Sequence, residues 1–237
     1  MNRFLQIEKI VFSKNNHAQC ALPNDIEELE QAVAQMGLVD RPVIVLIGGH
    51  IFPEHANITN QAIDVLAKTA EALDAAIICG GTDIGVMSAI GKSRGRSGYQ
   101  FPLVGIAPEG SVTWPEGVRS GGLIPTTGER EQLEPHHSHF MLVPGNQFGD
   151  ETKWISRAAS MIAGARHQSV TVLVNGGKVS QMDVEEGLSI GRPLIVLSGT
   201  GRLADYIASR PIKNNLIRII PAHNRRLLNE TLRMILA

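Results

Sequence analysis

Short apolar runs alternate with amphipathic segments along most of the chain. The run Val43–Ile47 is apolar throughout and ends at Gly48, which is typical of a strand buried on both faces of a parallel sheet. In Asn60–Leu73, apolar residues recur every three or four positions, which predicts a helix with one apolar face. These patterns predict strands at Val43–Ile47, Ala75–Cys79, Leu103–Ala107, Phe140–Val143, Val170–Val174, Leu194–Leu197 and Leu216–Ile220. They predict helices at Asp25–Met36, Asn60–Leu73, Gly85–Lys92, Glu151–Ala165, Met182–Ile190, Leu203–Ser209 and Arg225–Leu236.

The regular order of these elements predicts the fold class. Strands that alternate with helices form parallel sheets, because each crossover helix returns the chain to the edge where the strand began. We therefore expect an α/β fold, with a Rossmann-like, doubly wound and mainly parallel sheet and helices on both faces. Residues 42–237 are expected to form this single domain, and residues 1–41 an entry segment that packs on its core. Residues 108–135 are predicted to form a long loop, and loops of this length are often functional.

Composition narrows the class of protein. Of 237 residues, 43% are hydrophobic, which supports a sizeable core, and 22 basic against 23 acidic residues argue against a nucleic-acid binder. The two cysteines, Cys20 and Cys79, suggest no disulfide framework and favour a reducing compartment. The amino-terminal segment does not resemble a signal peptide, and no apolar stretch approaches the roughly 20 residues of a membrane span. We therefore expect a cytoplasmic protein that does not insert into a membrane.

Glycine turns close four of the predicted strands. Glycine lets the chain turn sharply, and the N–H groups at the start of the following helix attract anions. Four such turns predict a site for a phosphate-bearing small molecule at one edge of the sheet. The alternative for any single turn is a tight connection without a ligand, and none has the spacing of a dinucleotide fingerprint or a P-loop. The candidate ligand-binding residues of these turns are Gly48, Gly49, His50, Gly80, Gly81, Thr82, Gly85, Asn175, Gly176, Gly177, Lys178, Gly199, Thr200, Gly201 and Arg202.

Two of these candidates are basic residues that directly follow a glycine. The guanidinium of Arg202 can form two parallel hydrogen bonds with a phosphate, and a surface salt bridge is the alternative. The same two interpretations apply to Lys178.

A histidine-rich segment, Pro135–His139, precedes one predicted strand. On a strand, His137 and His139 point to the same face, where they can contact a ligand or hold a metal. Capping of the strand start is the structural alternative. Because a metal site needs three or four ligands and no third one is evident, we expect hydrogen bonding to a ligand or to the protein. No metal and no cofactor are expected to be required.

Five motifs occur in a fixed order along residues 42–220. They are Gly48-Gly49, Cys79–Met87, Leu133–Val143, Asn175–Gly177 and Gly199–Asp205. This series resembles the SLOG superfamily and, within it, the prokaryotic (LSDAT-type) relatives of the N-terminal domain of TRPM cation channels. The resemblance implies a Rossmann-like sensor domain for a nucleotide-derived ligand, with ADP-ribose-like or NAD-like molecules as the leading class. We also expect a homo-oligomer, with a membrane or effector protein as an optional partner.

The same superfamily includes the LOG-type phosphoribohydrolases, whose signature is Pro-Gly-Gly-x-Gly-Thr-x-x-Glu. The matching stretch, Asn175–Asp183, lacks the proline, the third glycine and the threonine. Asp183 and Glu185 are the candidate catalytic acids if the chain is an N-glycosidic nucleotide hydrolase. The altered loop favours binding over hydrolysis, and a structural or assembly domain with a vestigial cleft is the third alternative.

Overall fold

The computed structural model describes residues 5–14, 16–115, 118–119, 122–123 and 130–237, and it contains one sheet of nine strands. Every strand predicted from the sequence is present. The strands are β1 (Glu8–Ser13), β2 (Asn16–Ala21), β3 (Val43–Gly48), β4 (Ala76–Cys79), β5 (Leu103–Pro108), β6 (His139–Val143), β7 (Ser169–Val174), β8 (Leu194–Ser198) and β9 (Ile217–Pro221).

The strand order across the sheet is β1-β2-β6-β5-β4-β3-β7-β8-β9. Strands β2 to β9 are parallel to their neighbours, and only β1 pairs antiparallel, with β2. The chain moves outward from β3 in one direction through β4, β5 and β6, then crosses to the other side for β7, β8 and β9. The expected doubly wound, mainly parallel α/β fold is therefore confirmed.

Seven helices lie within the described ranges. They are α1 (Ile26–Gln35), α2 (Pro53–Leu73), α3 (Gly85–Ser97), α4 (Thr152–Ala163), α5 (Lys178–Ser189), α6 (Arg202–Ala208) and α7 (Arg225–Leu236). Helix α2 starts at Pro53 rather than at the predicted Asn60, because proline suits the first turn of a helix. Helix α5 starts at Lys178 rather than Met182, directly after the glycine turn. None of these helices is long and apolar enough to cross a membrane.

The two faces of the sheet are covered by different helices. Along β3, Val43, Val45 and Ile47 pack in one core with α1, α4, α5 and α6. Ile44 and Leu46 point the other way and pack with α2, α3 and α7. This alternation explains why the strand is apolar at every position, since both of its faces are buried.

The amino-terminal segment contributes strands that the sequence patterns did not predict. Strands β1 and β2 form a hairpin, and β2 pairs in parallel with β6. The sequence of β2, Asn-His-Ala-Gln-Cys-Ala, is too polar to mark a strand, although Ala18, Cys20 and Ala21 are buried in it. Pairing with β6 therefore decides its structure.

The predicted loop at 108–135 is described only in part. Its described residues include two short strand pairs, Val112–Thr113 with Glu131–Gln132 and Val118–Arg119 with Gly122–Leu123. Residues 116–117, 120–121 and 124–129 lie outside the described part of the chain.

Candidate functional site

The site is at the edge of the sheet where the parallel strands end. Strands β3, β4, β7 and β8 run in the same direction, so the four glycine turns that follow them lie along one edge. The strand order reverses between β3 and β7, and ligands of open α/β sheets bind in the crevice outside such a reversal. Turns Gly48-Gly49 and Asn175–Gly177 flank this crevice.

Asn175 holds the two flanking turns together. Its Oδ1 accepts hydrogen bonds from the N–H of Gly49, at 2.8 Å, and from the N–H of Gly176. Its Nδ2 donates to the carbonyl of His50 at 3.1 Å. Asn175 is buried and its backbone is left-handed, at φ 51°. It therefore positions the crevice, and the Gly49 N–H is already engaged by the protein.

The Gly199–Gly201 turn is closed by a carboxylate of the chain itself. Asp205 Oδ1 accepts from the Gly199 N–H at 2.5 Å, and Oδ2 accepts from the Gly201 N–H at 3.0 Å. The hydroxyl of Thr200 donates to the Leu197 carbonyl and accepts from the Asn175 N–H. The N–H groups of Gly199 and Gly201 and the hydroxyl of Thr200 are therefore engaged within the protein and are not free to bind a phosphate, contrary to the expectation for this turn.

Open donors lie instead at the start of α5. Gly177 is the N-cap residue, and the N–H groups of the first helical turn, from Lys178 to Ser180, have no partner within the helix. Lys178 is exposed, and no side chain of the described residues pairs with it. The helix dipole adds a partial positive charge at this end.

The guanidinium of Arg202 lies against the same turn. A Cβ placed on Gly177 would be 2.6 Å from Nη2 of Arg202, and one on Gly49 would be 3.2 Å from Nη1. Glycine at both positions thus leaves the space that the guanidinium occupies. Arg202 is paired with no carboxylate of the described residues and has only the ring of Phe52, 6.0 Å away, as an aromatic neighbour. Its left-handed backbone, at φ 52°, costs about 1–3 kcal/mol, and such strain concentrates at functional sites.

In the turn after β4, some residues line the site and others pack against neighbouring backbone. Gly80 and Thr82 line a cavity at the carboxyl edge of the sheet. Gly81 packs on β5, where an added Cβ would be 2.7 Å from Cα of Gly105. Gly85 packs on the neighbouring turn, where an added Cβ would be 2.0 Å from the Gly49 carbonyl oxygen. Gly81 and Gly85 therefore serve close backbone packing.

Neither His137 nor His139 lines the cavity at the carboxyl ends of the strands, and His137 makes hydrogen bonds to the protein, which was the expected alternative to ligand contact. His137 is 1% exposed and its ring nitrogens are both engaged, Nδ1 with Glu134 at 2.8 Å and Nε2 with Cys79 Sγ at 3.2 Å. His139 is the first residue of β6, so it lies at the amino ends of the strands, whereas the site lies at their carboxyl ends. Burial, and then the charges of Arg94 and Arg41, lower the pKa of His139 to about 4.

The cavity has a volume of about 250 Å³ and lies among the starts of α3, α4 and α5. Its apolar wall consists of Leu46, Ile47, Ile84, Met87, Phe148, Ile155 and Val179. Its polar lining includes Thr82, Glu131, Glu151, Ser180 and Asp183. An apolar pocket with a few convergent polar groups is the usual form of a small-molecule site.

Two carboxyl groups in this cavity have raised pKa values. Burial, and then the nearby carboxylates of Asp183 and Asp150, raise the pKa of Glu151 to about 7, despite hydrogen bonds from backbone N–H groups. Burial also raises the pKa of Asp183 to about 6, although the Thr152 hydroxyl donates to it at 2.6 Å. Both groups therefore exchange protons near neutral pH.

Sequence reasoning identified only one of these acids. Asp183 was a candidate through its position in the hydrolase-like stretch, whereas Glu151 was missed. The other acidic candidate, Glu185, is exposed, bonds to Gln181 on its own helix and lies outside the cavity. Within the described residues, no group of three or more histidine, cysteine, aspartate or glutamate side chains has the geometry to hold a metal.

Glu151→Gln is expected to stabilise the protein above neutral pH. Because the folded-state pKa of Glu151 is raised, its contribution to stability is present at low pH and is lost as pH rises through about 7. Glutamine removes this cost, so the free energy of unfolding should increase by about 1–3 kcal/mol at pH 8 and change little at pH 4.5. Urea unfolding at both pH values checks this, with the exposed Glu30→Gln as control. An equal effect at both pH values would contradict it.

The amino-acid sequence matches the family model described as "SLOG in TRPM, prokaryote" over residues 41–232. This match covers most of the chain. The chain belongs to this family. The resemblance drawn from the five motifs along residues 42–220 is thereby confirmed.

Members of the TRPM channels are similar to the chain over part of its length. The transient receptor potential cation channel subfamily M member 2 of Mus musculus is 30% identical over 175 residues, with coverage of 60% of this chain and 11% of the channel. The subfamily M member-like 2 of Nematostella vectensis is 28% identical over 184 residues, with coverage of 64% of this chain and 12% of the channel. The chain therefore spans about a tenth of the length of these relatives.

Two solved structures share the fold. The X-ray structure of TM1055, a structural genomics target, has a TM-score of 0.57 at 18% identity and covers 82% of this chain and 99% of its own. The molybdenum cofactor binding protein from Rippkaea orientalis has a TM-score of 0.52 at 12% identity and covers 83% of this chain and 97% of its own. At these identities the similarity establishes the fold alone.

Proposed function

We propose that this SLOG domain binds a nucleotide-derived ligand of the ADP-ribose or NAD class at the crevice between β3 and β7. The observation that carries the proposal is the position of the Arg202 guanidinium. It lies against Gly49 and Gly177 at the strand-order reversal, beside the open N–H groups of α5, and no carboxylate of the described residues pairs with it. A guanidinium and a helix start together favour a phosphate group.

The relatives support a ligand-binding role without naming the ligand. The similar channels are far longer than this chain, so their activity cannot be transferred to it as a whole. A solved structure with the same fold is named as a cofactor binding protein. The nucleotide class is therefore our proposal, and it rests on the phosphate-binding geometry and on family membership.

Ligand-induced stabilisation tests the proposal. A ligand that binds only the native state, supplied at 100 times its dissociation constant, adds about 2.7 kcal/mol of stability. For a domain of this size, that is expected to raise the melting temperature by about 5–10 °C. The panel is ADP-ribose, NAD, cyclic ADP-ribose and AMP at fixed ionic strength, with ribose lacking phosphate as the control. If none of the phosphorylated compounds raises the melting temperature, the proposal is contradicted.

One observation favours a second function, hydrolysis of the N-glycosidic bond of the ligand. Glu151 and Asp183 supply two carboxyl groups that titrate near neutral pH, as general acid–base catalysis requires. In that reaction the oxygen of water bonds to the anomeric carbon as the C–N glycosidic bond breaks, and one carboxylate accepts the proton that the water loses. Adenine leaves AMP with a proton donated by the other carboxyl group, whereas nicotinamide leaves NAD neutral and takes no proton. Chromatographic detection of released base from NAD or AMP decides this question. If the wild type releases the base and Asp183→Asn does not, the protein is a hydrolase. If the nucleotide stays intact after prolonged incubation, the protein binds the nucleotide without hydrolysing it.

A further inference from the structure

A groove with a basic lining runs between α2 and α7. Its volume is about 590 Å³, and its lining includes Asp64, Lys68, Arg225, Arg226, Asn229 and Arg233. None of these residues lines the cavity at the carboxyl ends of the strands. Helices α2 and α7 pack on the face of the sheet opposite to α1, since their buried residues belong to the other core.

Three of the four cations in this groove have no carboxylate partner among the described residues. Arg226 pairs with Glu230, one turn later on α7, at 2.7 Å. Lys68, Arg225 and Arg233 are exposed and form no ion pair in the part of the chain that the structure describes. Their charges are therefore available to an acidic partner.

The acidic residue in the lining does not neutralise these cations. The Asp64 carboxylate is paired with Arg96 at 2.7 Å and accepts from the Ser93 hydroxyl at 2.6 Å. The groove thus has a local excess of positive charge, although the net charge of the whole chain is −1. Negative charge must be concentrated elsewhere on the surface.

Helix α1 has the opposite character to the groove. It contains three glutamates and no basic residue. Glu27 and Glu30 are exposed and lie three positions apart, which places them on one side of the helix. Neither forms an ion pair within the described ranges. Ile26, next to them, is 45% exposed. This side of α1 is therefore an acidic ridge with an apolar residue at one end.

We propose that the groove between α2 and α7 binds helix α1 of a second copy of the chain. The free carboxylates of the ridge then face the free cations of the groove, and Ile26 is available to pack on Val65, a half-buried apolar residue of the lining. The lengths also agree, because the ten residues of α1 span about 15 Å and the groove wall from Arg225 to Arg233 spans about 12 Å.

The positions of the two surfaces decide the type of assembly. A two-fold dimer needs both surfaces of each copy on the side that faces the other copy. The ridge and the groove lie on opposite faces of the sheet, so each copy binds one neighbour through its ridge and another through its groove. Such head-to-tail contacts build rings or open chains rather than closed dimers.

The contact is expected to be weak and sensitive to salt. Exposed ion pairs contribute little individually and are screened by added ions. We expect a dissociation constant of about 0.1–1 mM at low ionic strength, so that dilute samples, such as those used for unfolding, contain separate chains. Neither surface includes Arg202 or the first turn of α5, so the inference does not depend on the proposed function.

Sedimentation equilibrium of the full chain without nucleotide tests the inference. At an ionic strength of about 0.01 M, where charges are screened over about 30 Å, the average mass should rise with protein concentration and exceed that of a dimer. At about 1 M, where the screening length is about 3 Å, it should fall to the monomer mass. A wild type that stays monomeric up to about 1 mM at low ionic strength would overturn the inference.

Charge reversal identifies the two surfaces. The groove variant, Lys68→Glu with Arg233→Glu, and the helix variant, Glu27→Lys with Glu30→Lys, should each associate at least about tenfold more weakly than the wild type. Mixing the two variants should restore association, because each then offers the other an oppositely charged surface. The variant with all four changes has the net charge of the wild type and should associate with itself to within about threefold of it.

A matched control separates the groove from net charge. Arg210→Glu with Lys213→Glu gives the same net charge as the groove variant but changes exposed residues after α6, so it should associate like the wild type. Circular dichroism checks folding, and Lys68→Gln with Arg233→Gln gives a milder readout if the reversed groove does not fold.

Three further results would overturn the inference. Equal losses in the groove variant and in the control would indicate a general effect of charge. Failure of the four-change variant to associate, when it is folded, would show that the ridge and the groove do not meet. Binding of a poly-glutamate peptide or of duplex DNA in the groove by a wild type that remains monomeric would assign the groove to another acidic partner.

Discussion

Glu134→Ala is expected to lower the free energy of unfolding by about 3–5 kcal/mol, because it removes one partner of the fully buried Glu134–His137 pair. The Glu134 carboxylate has no exposed surface and accepts from the His136 N–H, from His136 Nδ1 at 2.6 Å and from His137 Nδ1 at 2.8 Å. His137 in turn contacts Cys79 Sγ. Burial alone raises the pKa of Glu134, but the two histidines outweigh it and lower this pKa. Alanine leaves the buried His137 without its acceptor and removes an acceptor from the partly exposed His136.

Urea unfolding measures the effect of this change, with Glu30→Ala as an exposed control expected to stay within about 0.5 kcal/mol. Glu134→Gln keeps the volume and one acceptor oxygen, so it should fall between Glu134→Ala and the wild type and gives a readout if the alanine variant does not fold. A wild-type stability in both variants would show that the network is not needed for folding.

The same network makes the stability of the wild type depend on pH. Burial lowers the pKa of His137, but Cys79 and Glu134 outweigh it and raise this pKa to about 9. The stabilisation from protonated His137 is therefore present below about pH 6.5 and is lost as pH rises through 9. We expect the free energy of unfolding to fall between pH 7 and pH 9.5, and to fall less in Glu134→Gln.

Arg202→Ala is expected to weaken binding of ADP-ribose by about 1.5–3 kcal/mol, which is roughly tenfold to a hundredfold in affinity. The guanidinium is the charged side chain that lies directly against the start of α5, and it offers a phosphate two parallel hydrogen bonds. Arg202→Lys should recover only part of the affinity, because an ammonium group keeps the charge but not the paired geometry. Calorimetric titration at fixed salt measures both variants.

Two further variants control for charge and for position. Arg210→Ala removes a positive charge whose guanidinium stacks on Tyr206, 4.0 Å from the ring, and it should bind ADP-ribose like the wild type. Gly177→Ala keeps every charge but places a Cβ 2.6 Å from Nη2 of Arg202, so it should weaken binding by displacing the guanidinium. Equal losses in Arg202→Ala and Arg210→Ala would indicate a general effect of net charge rather than a phosphate site.

The fold could be predicted from the sequence because its strands carry a strong signal. Runs such as Val43–Ile47 are buried on both faces and are apolar at every position, so their pattern does not depend on knowing their neighbours. Strand β2 carries no such signal, because Gln19 and His17 alternate with its few buried residues and pairing with β6 determines its structure.

The sequence predicted that the candidate site lies at the carboxyl ends of the strands, but it did not predict the contacts of individual residues there. The glycine turns were recognisable, but nothing near Gly199 in sequence shows that Asp205 would occupy its N–H groups. Glu151 was missed for a related reason, since its burial results from cavity walls contributed by β3, α3 and α5. For His137 the sequence left open a ligand or the protein as hydrogen-bond partner, because a residue type alone does not show that Glu134 and Cys79 engage both ring nitrogens.

The central claim is that the ligand's phosphate binds at the start of α5 and not in the Gly199–Gly201 turn. Backbone amide NMR of the isotope-labelled protein during titration with ADP-ribose tests it most directly, because each turn has its own N–H signals. We predict large shifts for the amides of Lys178, Val179 and Ser180, and nearly unchanged signals for Gly199 and Gly201, which Asp205 already binds. Large shifts at Gly199 and Gly201 with none at residues 178–180 would contradict the account.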